Sequence, residues 1–216
     1  MNPLELVDLA PIAQILLVGA VLATLALGPL LWKQRHAPTA ARLRALTLLA
    51  TFLTFDLVLF GAFTRLTDAG LGCPDWPGCY ASASPLGAHA EITAAQTAAP
   101  LGPVTHQKAW IEMIHRYLAT GVGALLTLLM LWSWRARWKG DRQALPGWAT
   151  ASFLWVCVQG AFGALTVTMK LYPAIVTLHL LGGIVLLALL ALQAERCQPQ
   201  RAPLSPRLRF GAAAVL

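Results

Sequence analysis

Three features of the sequence predict an all-α fold, a polytopic transmembrane helix bundle. Of its 216 residues, 57% are hydrophobic and 12% charged, against roughly 25% charged in ordinary soluble domains. The apolar residues gather into stretches near 11–32, 45–64, 110–132, 147–168 and 174–194, each close to the roughly 20 helical residues that cross about 30 Å of hydrocarbon. The basic residues sit in short clusters between those stretches, so the net charge of +7 reports membrane topology and no nucleic-acid partner.

The stretch at 11–32 is a retained helix and not a signal peptide. Glu5 and Asp8 precede it in place of basic residues, and its apolar core exceeds the usual 7 to 15 residues or so of a cleaved leader. Orientation follows from the clusters Lys33, Arg35, Arg42 and Arg44, then Arg135, Arg137, Lys139 and Arg142, then Arg196, Arg201, Arg207 and Arg209, which mark cytoplasmic segments. Alternation then places the N-terminus, the 65–109 loop and the 169–173 turn outside, with the loop in an oxidising compartment. Within it, residues 81–100 are rich in Ala, Ser and Pro and are expected to be its least ordered part. The apolar run Arg209-Phe-Gly-Ala-Ala-Ala-Val-Leu216 follows a basic linker and reads as the start of a further, truncated helix. No internal repeat is evident.

Two histidines fall inside predicted spans, His115 in Trp110-Ile-Glu-Met-Ile-His-Arg116 and His179 in Val176-Thr-Leu-His-Leu-Leu-Gly-Gly183. Ionisable residues there are rare and usually functional. Both helices run inward from the outer surface, which puts His115 about 7 to 8 Å below Trp110 and His179 about 9 Å below Pro173. Two imidazoles at matched depth on different helices suit bis-axial ligation of a heme iron; the structural alternative is a polar pair tying helices together. Glu112, three residues before His115, shares that helix face and has the chemistry of an acid, base or charge-stabilising group; its structural alternative is an interfacial ion pair with Arg116 or Arg65. Those two arginines sit near the outer boundary, where guanidinium groups either clamp heme propionates or snorkel to the interface.

Cys73-Pro-Asp-Trp-Pro-Gly-Cys79 would close a small loop if oxidised, because Pro74, Pro77 and Gly78 bend the chain. The same spacing serves a static staple or a redox pair. His89 and His106 read as outer-loop histidines, with His106 nearer the cavity mouth. Asp56 lies mid-helix, where a charge is expensive; a protonated, hydrogen-bonded position inside the bundle is favoured over a proton path. Gln159, Gly182 and Gly183 read as close helix packing.

The segments 61–79, 106–116, 159–163 and 176–183 together resemble heme A synthases, the family required to assemble aa3-type terminal oxidases, and the likeness covers about 45–195. It implies oxidation of a methyl group of heme O to the formyl group of heme A, with water as the oxygen source, in the bacterial cytoplasmic (inner) membrane. By this resemblance His115 and His179 match the family's N-terminal histidine pair, associated with the substrate heme. Glu112 matches its essential glutamate, and Cys73 with Cys79 its extracytoplasmic disulfide. The family has two four-helix bundles, the second holding heme b, and no residues for that site follow Leu216. The chain then corresponds to an N-terminal half, as a fragment or half-length form, or acts as a homo-oligomer in which two copies combine. Heme O synthase is an implied heme donor, and membrane lipid the surrounding partner. The expected organisation is an extra N-terminal transmembrane helix with cytoplasmic linker at 1–44, a four-helix heme-binding bundle at 45–195, and a linker leading into a truncated helix at 196–216. Competing readings are a membrane b-type heme electron carrier and, less favoured, a quinone-linked disulfide oxidoreductase, which would want a second outer cysteine pair.

Overall fold

The computed structural model describes residues 10–197, all of whose regular elements are helices. The linker and helix start expected at 198–216 lie outside the described residues. Five long helices cross a membrane by length and composition: α1 (Ala10–Lys33), α2 (Thr39–Leu66), α4 (His106–Trp138), α5 (Pro146–Thr168) and α6 (Pro173–Arg196). The shortest, at 23 residues, is about 35 Å long and spans the hydrocarbon unaided. The chain is a multi-pass membrane protein.

Helix ends follow local chemistry more than hydropathy. Helix α2 begins at Thr39, six positions before the apolar stretch, because nothing between Pro38 and Ala45 breaks a helix and Arg42 caps the preceding turn through the carbonyls of Gln34, Arg35 and Ala37. Helix α4 begins where the Thr105 hydroxyl accepts the Lys108 N–H, an N-cap that sets its start ahead of the first apolar residue. Helices α5 and α6 open on Pro146 and Pro173, whose fixed φ suits the first helical turn.

Helices α2, α4, α5 and α6 form a ring in which α2 packs on α4 and α6, and α5 on α4 and α6. The backbones of the diagonal pairs, α4 with α6 and α2 with α5, stand farther apart. The ring's apolar core runs through Leu46, Ala50, Val122, Leu125, Leu129, Leu186 and Leu190. Helix α1 stands outside the ring along α4, where a Cβ on Gly19 would collide with Thr120; such small residues let membrane helices approach closely.

One end of the bundle carries the basic residues of the 33–44 and 135–142 segments, with Arg35 over Trp32 and Arg196 over Trp148 at 4.9 and 4.1 Å, cation–π contacts typical of an interface. The other end carries the long loop. That loop departs from expectation: residues His89–Ala98 form a further helix, α3, with Ile92 fully buried. Its composition, read as the least ordered part of the loop, holds alanines with Glu91 and Gln96, all good helix formers, and Ile92 supplies the anchor.

Asp56 also departs from expectation. It is exposed, without a hydrogen bond among the described residues, on the outward α2 face that carries Phe52, Phe55, Leu59 and Phe63. It stands one turn beyond Phe52, so helical periodicity places both on that face and turns Asp56 away from the ring.

Candidate heme site and its covering loop

His115 lies two turns into α4 and His179 two turns into α6, both counted from the loop end. They therefore stand on diagonal helices at the same level. Each ring rests against a helix that flanks it. A Cβ on Gly61 of α2 would stand 3.0 Å from His115 Cε1, and one on Gly163 of α5 would stand 3.6 Å from His179 Cε1. Phe60 lies parallel to the His115 ring, centroids 6.2 Å apart and planes 7° apart. A larger residue at 61 would press on the His115 imidazole, whereas a Cβ at 163 would only touch the His179 ring.

The surroundings reveal a repeat missed in the sequence. Gly61-Ala-Phe-x-x-Leu-Thr67 on α2 recurs as Gly160-Ala-Phe-x-x-Leu-Thr166 on α5, near the loop end of both. The ring thus has two similar halves, each a glycine-bearing helix that rises to the loop end and a histidine-bearing helix that descends from it. The signal was present, but five matching positions inside apolar helices are inconspicuous.

Among the described residues neither imidazole has a hydrogen-bond partner, and both Nδ1 atoms are buried. The alternative of a satisfied polar pair tying helices together does not describe them. Among the described residues no group of three or more His, Cys, Asp or Glu could hold a bare metal ion. Two imidazoles alone suit a metal that arrives with its own equatorial ligands, as heme iron does, so the donor set fits heme.

Glu112, one turn from His115 toward the loop, is 4% exposed. Its carboxylate accepts the Cys73 N–H at 2.9 Å and pairs with Arg116. Arg116 also donates to the carbonyls of Asp75 at 2.9 Å, Pro77 at 3.2 Å and Gly78. The guanidinium expected at heme propionates thus grips the cysteine loop. Arg65 is exposed at the loop end of α2, with no side-chain bond among the described residues.

Cys73 and Cys79 form a disulfide with Cα atoms 4.9 Å apart. Both are fully buried with Ile15 of α1, Ala88, Ile92, Ala109 and Met113. The buried position favours the staple over an exchanging pair. Asp75 braces the loop by accepting the N–H groups of Tyr80 and Ala81 at 2.6 and 2.7 Å, where both residues have positive φ. Gly72 lies so close to α4 that a Cβ would strike the Lys108 carbonyl. Asp75 had no sequence signal beyond its place between prolines. His106, read as an outer-loop histidine, bonds through Nε2 to Thr93 of α3 at 2.9 Å, its ring 4.5 Å from that of His89. Cys157 and Cys197 are free, and Gln159 packs its amide against Gly182.

A family model described as cytochrome oxidase assembly protein, COX15-CtaA, matches residues 44–216. The heme A synthase of Shewanella oneidensis is 45% identical over 156 residues, covering 71% of this chain and 46% of that protein. The heme A synthase of Lysinibacillus sphaericus is 30% identical over 64% of this chain and 39% of its own length, and that of Symbiobacterium thermophilum 30% identical over 77% and 52%. The chain thus spans about half the length of the curated relatives it matches. No solved structure matches it.

Proposed function

Because this chain belongs to the COX15-CtaA family of cytochrome oxidase assembly proteins, we propose that its four-helix ring binds heme O and takes part in its oxidation to heme A. The observation that carries this reading is the pair of imidazoles, each with a buried Nδ1 unpartnered among the described residues, at one level on diagonal helices. His115 and His179 hold the heme through its iron, and the bound heme supplies both the redox centre and the methyl group to be oxidised. Conversion of that methyl to a formyl group would take one oxygen from water and release four protons and four electrons, which an external electron acceptor has to take up.

Glu112 is the residue through which a proton leaves. Its carboxylate sits one turn from a proposed iron ligand, away from lipid, paired with the Arg116 guanidinium and accepting the Cys73 N–H. Arg65 takes a heme propionate at the loop end. Arg116 adds positive charge to the same mouth while fixing Glu112 to the loop. The buried disulfide holds the loop over the site and keeps bulk water off it.

The basic end faces the cytoplasm and the loop lies on the outer side of a bacterial inner membrane, consistent with the positive-inside rule. Heme b belongs to a second histidine pair of the full-length activity, supplied by further sequence or by a second copy, and heme O synthase is the natural source of substrate.

The test is the identity of hemes extracted from this chain after expression in a host that makes heme O but no heme A. Heme A or its hydroxylated precursor supports the oxidation. Heme O or heme B alone reduces the ring to a binding half or an electron carrier, and an extract without heme overturns the ligand assignment.

A further inference from the structure

The seam between α5 and α6 holds an open groove of about 250 Å³, walled by Trp155, Phe162, Leu178, Leu181 and Val185, with Gln159 at its floor. Gln159 is 7% exposed, and its Oε1 is buried without a partner. Its amide nitrogen lies against Gly182, and the Trp155 indole N–H is already spent on the Gly182 carbonyl at 2.8 Å. The groove therefore has apolar walls, and next to them lies a buried amide oxygen with no hydrogen-bond partner among the described residues. An unpaired buried carbonyl is costly, the more so where the surrounding solvent is hydrocarbon, so the amide oxygen calls for a donor brought by a ligand.

Its position says which ligand. Gly163, against the His179 ring, is one turn from Gln159 along α5, and Gly182 is one turn from His179 along α6. Both steps lead away from the loop end, about 5 to 6 Å below the imidazole. Heme O carries a hydroxyl-bearing isoprenoid chain on the edge of the macrocycle opposite its propionates. With the propionates toward Arg65 at the loop end, that edge faces the level of Gln159.

We infer that the α5–α6 groove is the seat of the hydroxyalkyl isoprenoid substituent of heme O, whose hydroxyl donates to Gln159 Oε1. This rests on the heme O reading above and adds to it the basis for distinguishing heme O from heme B, which carries a vinyl group in place of that substituent. Gly182 is small because the amide must cross the seam to present its oxygen; a side chain there would displace it.

The experiment is spectrophotometric titration of the full chain in lipid nanodiscs with heme O and, separately, heme B. Wild type favours heme O. Gln159→Leu loses about tenfold of that preference, the worth of one buried hydrogen bond, through weaker heme O binding with heme B affinity retained. Leu181→Trp, an exposed position that fills the groove without touching the ring core, lowers the same preference and guards against a folding defect in the first variant. An unchanged heme O to heme B ratio in both variants overturns the inference while leaving the histidine site standing; failure of wild type to bind either heme overturns the underlying reading and the inference with it. A soluble short-chain quinol shares the chemistry of hydroxyl and isoprenoid. If it quenches Trp155 fluorescence while the heme ratios stay unchanged, the groove belongs to a quinol and not to the substrate.

Discussion

Replacing Arg116 with Met removes one side chain and releases a whole loop. The Arg116–Glu112 pair is buried, its side chains 10% and 5% exposed, so solvent screens it little. Breaking such a pair by deleting one partner costs about 3 to 5 kcal/mol, because the other charge is left behind. The low end applies, since Glu112 keeps the Cys73 N–H; the carbonyls of Asp75, Pro77 and Gly78 regain water once the loop lifts. A loss of about 3 kcal/mol raises local opening roughly a hundredfold. Cys73 and Cys79 are fully buried, so a reductant reaches the disulfide only from the open state, and reduction tracks that equilibrium. Trapping the released thiols with a mass-tagged maleimide in mild reductant measures the rate. Arg116→Met should react about a hundredfold faster than wild type, and Arg116→Lys should fall between, keeping the charge but losing the fork that reaches several carbonyls. A rate equal to wild type in Arg116→Met would show that the loop is held by other means and refute the clamp.

Four further outcomes are expected. His115→Ala or His179→Ala abolishes the low-spin bis-histidine absorption spectrum of the heme-loaded protein, whereas a spectrum retained in either variant removes that residue from the iron. Glu112→Gln keeps heme content, because the amide oxygen still accepts the Cys73 N–H, but depresses formyl product by about a hundredfold or more in a full-length protein, in line with the loss of a positioned acid–base group; normal heme A output sinks the role given to it. Gly72→Ala destabilises the loop by about 1 to 3 kcal/mol, since the added methyl meets helix backbone that cannot move aside, read as faster proteolysis within 67–105. Alkaline phosphatase fused after residue 90 should be active and after residue 140 inactive, the reverse pattern inverting the assigned orientation.

The spans were legible because hydrocarbon demands long apolar helices and little else. The histidine pair was legible for the opposite reason, as an exception to that demand. Cys73 and Cys79 share a short, bent loop, which favoured a bridge over two free thiols. What escaped was tertiary. Arg116 looks the same in sequence whether it meets a propionate or three carbonyls, and only the fold of 73–79 onto α4 decides. Asp56 was assigned inward because charge is costly in lipid, yet helical phase, readable from Phe52, Phe55, Leu59 and Phe63, points it outward. Helix α3 was hidden by its neighbours, since the Pro and Ser residues of 82–85 and Pro100 masked ten residues of good helix formers between them.

The placement of the two imidazoles on α4 and α6 bears on biogenesis. During synthesis a chain that has delivered α1 to α5 into the bilayer owns His115 but lacks its counterpart, and its half-built cleft opens on the side where α6 will lie. Under the proposed ligation, tight capture of a macrocycle waits for α6. A ribosome that stalls before residue 179 would then leave a product that carries one of the two proposed ligands and lacks the other.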